Sequence, residues 1–333
     1  MPSDPPPRKS IRELQAGDRV DDQIFLLTQK DLRTTNSGGM YMHAVLADAS
    51  GQLVARMWNA NQQHYDSLPD SGLIHVTGRV ENYKNQRQFI IDATRVAADD
   101  GANPADFLPR TRHDIEQMWS RVKEILRGIR NSYLRNLVAK FINDDAFAAA
   151  FKLAPAARTN HHAFVGGLLE HTLNLLELAV LVLPRYPEVS ADLVLAGLFL
   201  HDAGKTRELS FRTNFDYTSE GQLLGHIVLA TMWVQEKARL LERESNTAFP
   251  PEILFALQHI LVAHHGKYEF GSPRLPATPE AIMVHYLDNL DAKLNMMLTA
   301  INADADAASD WTPWIAALET RVFKPDVLRP PTG

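Results

Sequence analysis

Five places in the chain carry residue types that bind divalent metals. They are His171 in Leu168–Thr172, the doublet His201-Asp202, His226, the doublet His264-His265, and Asp288 in Tyr286-Leu287-Asp288-Asn289. Neutral imidazole and carboxylate together suit manganese, iron, zinc, nickel or cobalt. Nine of the thirteen histidines fall between His161 and His285, so the excess is concentrated where the ligand positions are. A single histidine on an apolar helix is ordinarily a packed or solvated side chain. Five positions in one order, with His201-Asp202 closing an apolar run before Ala203-Gly204-Lys205, are harder to account for that way. Gly204 there fits a helix stop. Neighbours on a helix point ~100° apart, so a doublet can approach one ion from two sides or serve two ions.

These side chains need a scaffold, and the hydrophobic periods supply two. Residues 18–98 read as strands, with alternating runs at Tyr41–Ala47, Leu53–Trp58, Leu73–Tyr83 and Phe89–Val96. Turn signals such as Asn36-Ser37-Gly38-Gly39 separate them. A short helix is expected over Asn61–Leu68. Five strands with a helix after the third is the order of an OB-fold barrel. An acidic linker with Gly and Pro follows, over 99–110. Beyond it the period changes to 3.6, with helices expected over 112–129, 132–142, 145–152, 163–182, 189–202, 222–244, 251–265 and 278–302. The expected fold class is multidomain α and β: an N-terminal five-stranded OB-fold β-barrel at 18–98, then an all-α helical bundle at 111–326 that carries every ligand position. Residues 1–17 and 327–333 are expected to be flexible ends.

The order His … His-Asp … His … His-His … Asp resembles the HD superfamily of metal-dependent phosphohydrolases in its two-metal form. More narrowly, Asn160–Thr172, His201–Leu209, His264–Pro273 and His285–Lys293 resemble the YhaM-type 3′→5′ exoribonucleases, which also place an OB-fold before the HD domain. That resemblance spans about residues 18–325. It implies that His171, His201, Asp202 and Asp288 hold a first ion, and that Asp202 bridges to a second ion held by His226, His264 and His265. It also implies two divalent metal ions as cofactors, manganese foremost, with iron, cobalt, nickel, zinc or magnesium as alternatives. The implied activity is 3′→5′ hydrolysis of single-stranded RNA, and of single-stranded DNA, to nucleoside 5′-monophosphates by a hydroxide that the two metals activate. Asp202 and Lys205 are the expected catalytic residues, with the Lys205 ammonium reaching the scissile phosphate. Asp291 and His285 each lie one turn from Asp288 and are candidates to orient a ligand; Asp291 is also the alternative last carboxylate ligand. His161, His162 and Arg207 are candidates for contact with a ligand residue or with substrate, and the segments 207–220 and 266–276 for the rim of the site.

In the barrel, alternation puts Tyr41, Arg56, Trp58, Arg79 and Tyr83 on the outer face, with Lys84 and Arg87 at the following turn. Aromatics interleaved with arginines suit single-stranded nucleic acid. An outward Trp or Tyr would serve equally to dock the barrel on the helical domain. The net charge of −6 makes bulk electrostatics a poor basis for duplex binding, so a nucleic-acid partner must be held by a local face and by metals. The absence of cysteine excludes disulfides, thiolate metal sites and a cysteine nucleophile. The apolar stretches fall short of the ~20 residues of a membrane helix, and the N-terminus lacks the apolar core of a secretory signal. The expectation is a cytoplasmic enzyme whose partners are single-stranded RNA and single-stranded DNA, with no membrane and an open oligomeric state, a homo-oligomer included. Two other functions fit the same ligands. One is a cyclic-dinucleotide or nucleotide phosphohydrolase, although the stretch after His264-His265 lacks the Gly-Tyr-Pro of the cyclic-di-GMP branch. The other is a non-catalytic single-strand-binding protein with a structural metal.

Overall fold

A computed structural model describes residues 8–35, 38–83, 86–97, 107–157, 162–210, 216–303, 309–325 and 327–328. The N-terminal part consists of β1 (Arg19–Thr34), β2 (Met40–Asp48), β3 (Gly51–Trp58), α1 (Gln62–Asp66), β4 (Gly72–Tyr83) and β5 (Gln86–Val96). The strands close into a barrel in the order β1-β2-β3-β5-β4, with a short parallel contact between β3 and β5. That order, with α1 between β3 and β4, is the OB-fold arrangement. Strand alternation sends Met42, Ala44, Leu46, Ala55, Ile74 and Phe89 inward, and each is at most 1% exposed. Fully burying a Leu, Ile, Met or Phe side chain contributes ~1.5–3 kcal/mol, so this interior holds the barrel shut.

Two features depart from the expected pattern. β1 shows no alternation because both its faces are covered. Phe25 and Leu27 point into the barrel core, while Leu26 joins Ala47, Leu73, Phe107, Leu108 and Val165 in a separate buried cluster. That second cluster seats the barrel on the helical domain, and an isolated bridge between Arg110 and Val165 runs beside it. The other departure corrects the expectation of a flexible end over 1–17. Of its described residues, Ile11 and Leu14 are 3% and 0% exposed inside the barrel core. The Ile11 N–H donates to Asp48 Oδ2 at 2.7 Å, and the Arg87 guanidinium donates to the Leu14 carbonyl. Two apolar residues in a polar stretch are too few to show a period, yet they plug the barrel.

The helical part runs α2 (Ile115–Leu126), α3 (Ser132–Ile142), α4 (Asp145–Leu153), α5 (Gly167–Val182), α6 (Ala191–Leu200), α7 (Lys205–Glu208), the short strands β6 (Leu209–Ser210) and β7 (Asp216–Tyr217), α8 (Ser219–Ser245), α9 (Pro251–Ala263) and α10 (Pro279–Ala303). Asp114, Asn131, Asp144, Ser190 and Thr218 cap their helices through side-chain oxygens, which satisfies N–H groups that have no partner inside the helix. α6 is apolar all round, and Val194–Leu200 are buried among α3, α5, α9 and α10. A helix of that composition belongs at the centre of a bundle. Trp119, Phe147, Phe151 and Phe199 stack in one aromatic cluster beside it. The segment Gly167–Arg185, 19 residues, is long and apolar enough to cross a membrane, which exceeds the length expected from the sequence. Its apolar character has a local cause: Leu168, Leu169, Leu175, Leu176 and Ala179 lie in the bundle core.

Candidate metal centre

Each proposed ligand sits at a helix end or on an inner helix face. His171 lies in the second turn of α5, His201 and Asp202 follow the last residue of α6, and His264 and His265 follow α9. Asp288 lies inside α10. His226 depends on a kink. Gly225 has φ 72° and ψ 156°, a left-handed backbone that breaks α8 into two helices, and His226 opens the second. The freed His226 N–H donates to Glu208 Oε1 at 2.9 Å, and its Nδ1 meets the same oxygen at 3.0 Å. Gly204 lies in the turn that ends α6 and leads into α7, in right-handed backbone with φ −62° rather than the left-handed geometry of a glycine cap. Glycine is needed because a Cβ at that point would lie 2.1 Å from the His226 carbonyl oxygen.

The seven side chains converge on Asp202, whose two oxygens face different neighbours. On the Oδ2 side are His201 Nε2 at 3.3 Å, His171 Nε2 at 3.9 Å and Lys205 Nζ, which donates at 2.7 Å. Asp288 Oδ1 closes that side, 3.1 Å from His171 Nε2 and 3.9 Å from His201 Nε2. On the Oδ1 side are His226 Nε2 at 3.4 Å and His264 Nε2 at 3.7 Å. His265 joins this second group, since one ligand atom from each of His226, His264 and His265 lies within 4.8 Å of the others.

The hydrogen bonds fix which nitrogen is available. His201 Nδ1 bonds the Leu198 carbonyl at 2.8 Å, His264 Nδ1 the Leu261 carbonyl at 2.7 Å, and His265 Nδ1 the Phe270 carbonyl at 2.7 Å. A carbonyl only accepts, so each Nδ1 carries the proton and each neutral ring presents a lone pair at Nε2. His171 Nδ1 meets Asp291 Oδ2 at 2.7 Å. Four buried atoms, His201 Nε2, Asp202 Oδ1, His226 Nε2 and His264 Nε2, have no hydrogen-bond partner. A buried acceptor left unanswered costs ~1–3 kcal/mol. Such acceptors converging from three elements, each imidazole tethered through its far nitrogen, suit a divalent cation. The residues therefore fit a metal.

Local charges support that reading. Burial alone would raise Asp202 and Asp288, but Lys205 and His201 around the first, and His171 and His201 around the second, hold both carboxyls well below the usual range. Burial pushes His264 far down and His265 down, with like-charge neighbours adding to it, so both stay neutral and able to ligate. His171 goes the other way: burial lowers it, but the Asp288 and Asp291 carboxylates carry it to about 9.

The remaining predicted residues fall around this centre. Asp291 bonds the far nitrogen of His171 and also accepts from Asn174 Nδ2 at 3.0 Å, so it orients His171 from behind. His162 is 1% exposed, 3.7 Å from Asp291 Oδ2, and its N–H donates to Asn295 Oδ1. His285 Nδ1 bonds the His264 carbonyl at 2.8 Å and so props the His264-His265 turn. His161 lies outside the described residues. Arg207 is not at the centre. It pairs with Glu220 and sits 5.5 Å over the Trp233 ring, lining a separate cavity of about 880 Å³. The centre itself opens on a groove of about 370 Å³ lined by Asp202, Lys205 and Asp288 together with Phe270, Asn289 and Lys293. Sequence reasoning missed Glu208, Asn174 and Asn295, which hold ligand residues or their supports. Glu208 lies seven residues after His201, two turns along, but its partner His226 is set only by the Gly225 kink.

On the barrel, Tyr41 and Trp58 pair across β2 and β3 with ring centroids 5.2 Å apart. The Arg56 guanidinium bonds Gln88 and lies 5.5 Å over the Tyr83 ring. Trp58 and Tyr83 are 47% and 52% exposed, so neither ring is buried against the helical domain. Two expected contact residues are committed elsewhere. Arg79 pairs with Glu81 and Asp92, and Arg87 holds the N-terminal plug, because alternation reports the face of a side chain and not its partner. Lys84 lies outside the described residues.

Fold and site together define a two-part protein: an OB-type barrel and a helical bundle with a buried His/Asp cluster that could hold a metal. Residues 168–293 match the model of the HD domain family. Among solved structures, the second OB-fold domain of replication protein A from Methanococcus maripaludis is similar over 28% of this chain and 98% of that one, at 14% identity and a TM-score of 0.21. At that score the likeness decides nothing, and the barrel rests on its own strand order.

Proposed function

We propose that the protein is a metal-dependent phosphodiesterase that trims single-stranded RNA, and single-stranded DNA, from the 3′ end to nucleoside 5′-monophosphates. The observation that carries the reading is the set of buried lone pairs aimed at Asp202 within a segment that matches the HD domain. On this reading His171, His201, Asp202 and Asp288 hold one divalent ion, and Asp202, His226, His264 and His265 hold another, with manganese the first candidate. Bound ions of this kind polarise a phosphoryl oxygen and lower the pKa of water toward neutrality.

The chain's own groups do the rest. Asp202 lies between both sets of imidazoles and keeps its negative charge. Lys205 is 8% exposed, its pKa held up by Asp202 against burial, so it stays cationic beside the groove and offsets charge that develops on the phosphate. Phe270 offers a ring to a terminal base and Lys293 an ammonium to a flanking phosphate, both on the groove wall. The Tyr41–Trp58 pair, Tyr83 and Arg56 hold the strand upstream by stacking and backbone contact.

The test is a cleavage assay on 5′-labelled RNA and single-stranded DNA with manganese or cobalt, using Asp202→Ala as control. A ladder shortening from the 3′ end is expected. Intact substrate in every metal sinks the reading.

A further inference from the structure

Helix α10 has two faces of opposite use. Its inner face carries His285, Asp288 and Asp291 toward the metal centre. Its outer face is a ridge of Ile282, Tyr286, Leu290, Leu294 and Leu298, one residue in four, each between 43% and 63% exposed. Three of the four charged residues of the helix are engaged elsewhere: Asp288 and Asp291 face the centre and Glu280 accepts from the Ser190 N–H at 2.9 Å, while Lys293 is exposed on the groove wall. The outer face of a helix on a soluble bundle is ordinarily polar. α2 shows the ordinary case, with Glu116, Arg121 and Glu124 exposed.

The ridge runs ~24 Å at 1.5 Å per residue. Its five side chains expose roughly 500 Å², near the upper end of the patches a lone monomer shows. Two such faces would together bury roughly 1,000 Å², the lower bound for a biological interface. We propose that a second copy of this chain covers it, α10 against α10 across a two-fold axis at Leu290. The ridge is complementary to itself about that point. Leu290 meets the partner's Leu290, Tyr286 meets the partner's Leu294, and Ile282 meets the partner's Leu298. Rows of residues four apart on two helices interdigitate at a crossing angle near −50°, and a two-fold pair is the commonest closed arrangement. Lys293, one turn from Leu290, is exposed and lies at the edge of this pairing. A nucleic acid is the wrong occupant, because over its whole length α10 offers a phosphate backbone one cation, Lys293. The pairing would brace the one helix that supplies both Asp288 and Asp291, and it holds whether or not the protein cleaves RNA.

The test is the mass of the full chain in solution. Light scattering is expected to give twice the 37.3 kDa of one chain, and Leu290→Glu is expected to give one chain with unchanged helicity. The chain contains no cysteine, so Leu290→Cys supplies a single thiol and should form a covalent dimer under mild oxidation. Leu223→Cys, at an 83% exposed position on α8, should not. A wild-type mass of one chain up to ~100 μM, far above the Kd of a stable complex, overturns the proposal. So does a dimer that survives Leu290→Glu, or a Leu290→Cys variant that does not cross-link.

Discussion

The barrel face and the metal centre use polar groups in opposite ways. On the barrel, charges are exposed and answered by one another: Arg79 by Glu81 and Asp92, Arg95 by Asp22 at 2.8 Å, Arg19 by Asp92 at 3.9 Å. Exposed pairs of this kind contribute ~0–1 kcal/mol each, so they can exchange partners at little cost when a ligand arrives. In the centre, His201, Asp202 and His264 are at most 2% exposed, and His201 Nε2, Asp202 Oδ1 and His264 Nε2 have no hydrogen-bond partner. There the fold has fixed the donors and left the acceptors for something else to satisfy. Polar groups that merely stabilise are paired within the chain, whereas these are held in place and left unpaired, as a cation would require.

The strongest test of this contrast is Asp202→Ala. Turnover on single-stranded RNA should fall by roughly 10³-fold, as when a charge-stabilising group is lost from a transition state. Adding manganese at ~100 times its Kd should stabilise the wild type by ~2.7 kcal/mol, which is roughly 5 °C in melting temperature. The Asp202→Ala variant should show no such shift. If it melts higher with manganese just as the wild type does, the unpaired acceptors are not a metal site.

Next in size are the residues behind the ligands. Asp291→Asn keeps the shape but weakens the grip on His171 Nδ1. Manganese affinity, measured by calorimetry, should drop ~10–100-fold. Glu208→Gln should act likewise through His226. Unchanged affinity in both would mean that the imidazoles are held by packing alone.

The two regions were unequally legible in the sequence. All seven candidate ligand positions were visible in residue type and order, because burying a His-Asp doublet at the end of an apolar helix is costly unless a cation or a polar partner compensates it. The supports were legible only in part: Asp291 was expected to orient a ligand, but which one was not, and Glu208, Asn174 and Asn295 gave no signal. Asp291 sits 120 residues from His171, and Asn295 is 133 residues from His162. Only the packing of α10 against α5 brings them together. Glu208 needed the Gly225 kink. In the barrel, four strands showed their alternation, while β1 lost its period to burial on both faces. Ile11 and Leu14 were invisible for the opposite reason, since two isolated apolar residues carry no period. Alternation placed Arg56 and Arg79 on one face, and nothing in it distinguished the arginine beside the Tyr83 ring from the one locked between two carboxylates.

That last distinction yields a smaller prediction. Trp58→Ala should weaken single-strand binding by ~1–3 kcal/mol, the worth of one base stack. Arg79→Ala should change it by less than ~1 kcal/mol, because that charge is already answered. Fluorescence anisotropy with a labelled oligonucleotide reads both. Equal losses would show that the barrel face works by charge and not by stacking.

The smallest effect asks whether the contrast lies between domains or between paired and unpaired groups. Asp144, in the helical domain, caps α4 by accepting from the Phe147 N–H at 3.1 Å and takes the Lys237 ammonium on its other oxygen. It is a paired group outside the metal centre, so it should behave like the barrel pairs. Lys237, and then the capped Phe147 N–H, hold its carboxyl below the ordinary range. A carboxyl lowered in the folded state adds stability above its unfolded pKa of ~3.9 and loses it as pH falls through the folded value. Asp144→Asn keeps a capping oxygen but loses the ion pair, and should cost ~0.5–1 kcal/mol at pH 7. The deficit against wild type should shrink as pH falls below ~3.9 toward the folded value, where both side chains are neutral. Denaturant melts at pH 7 and pH 3 measure it, and manganese should leave the deficit unchanged. A deficit that instead grows with added metal would place this pair in the same network as the centre and erase the distinction between paired and unpaired groups.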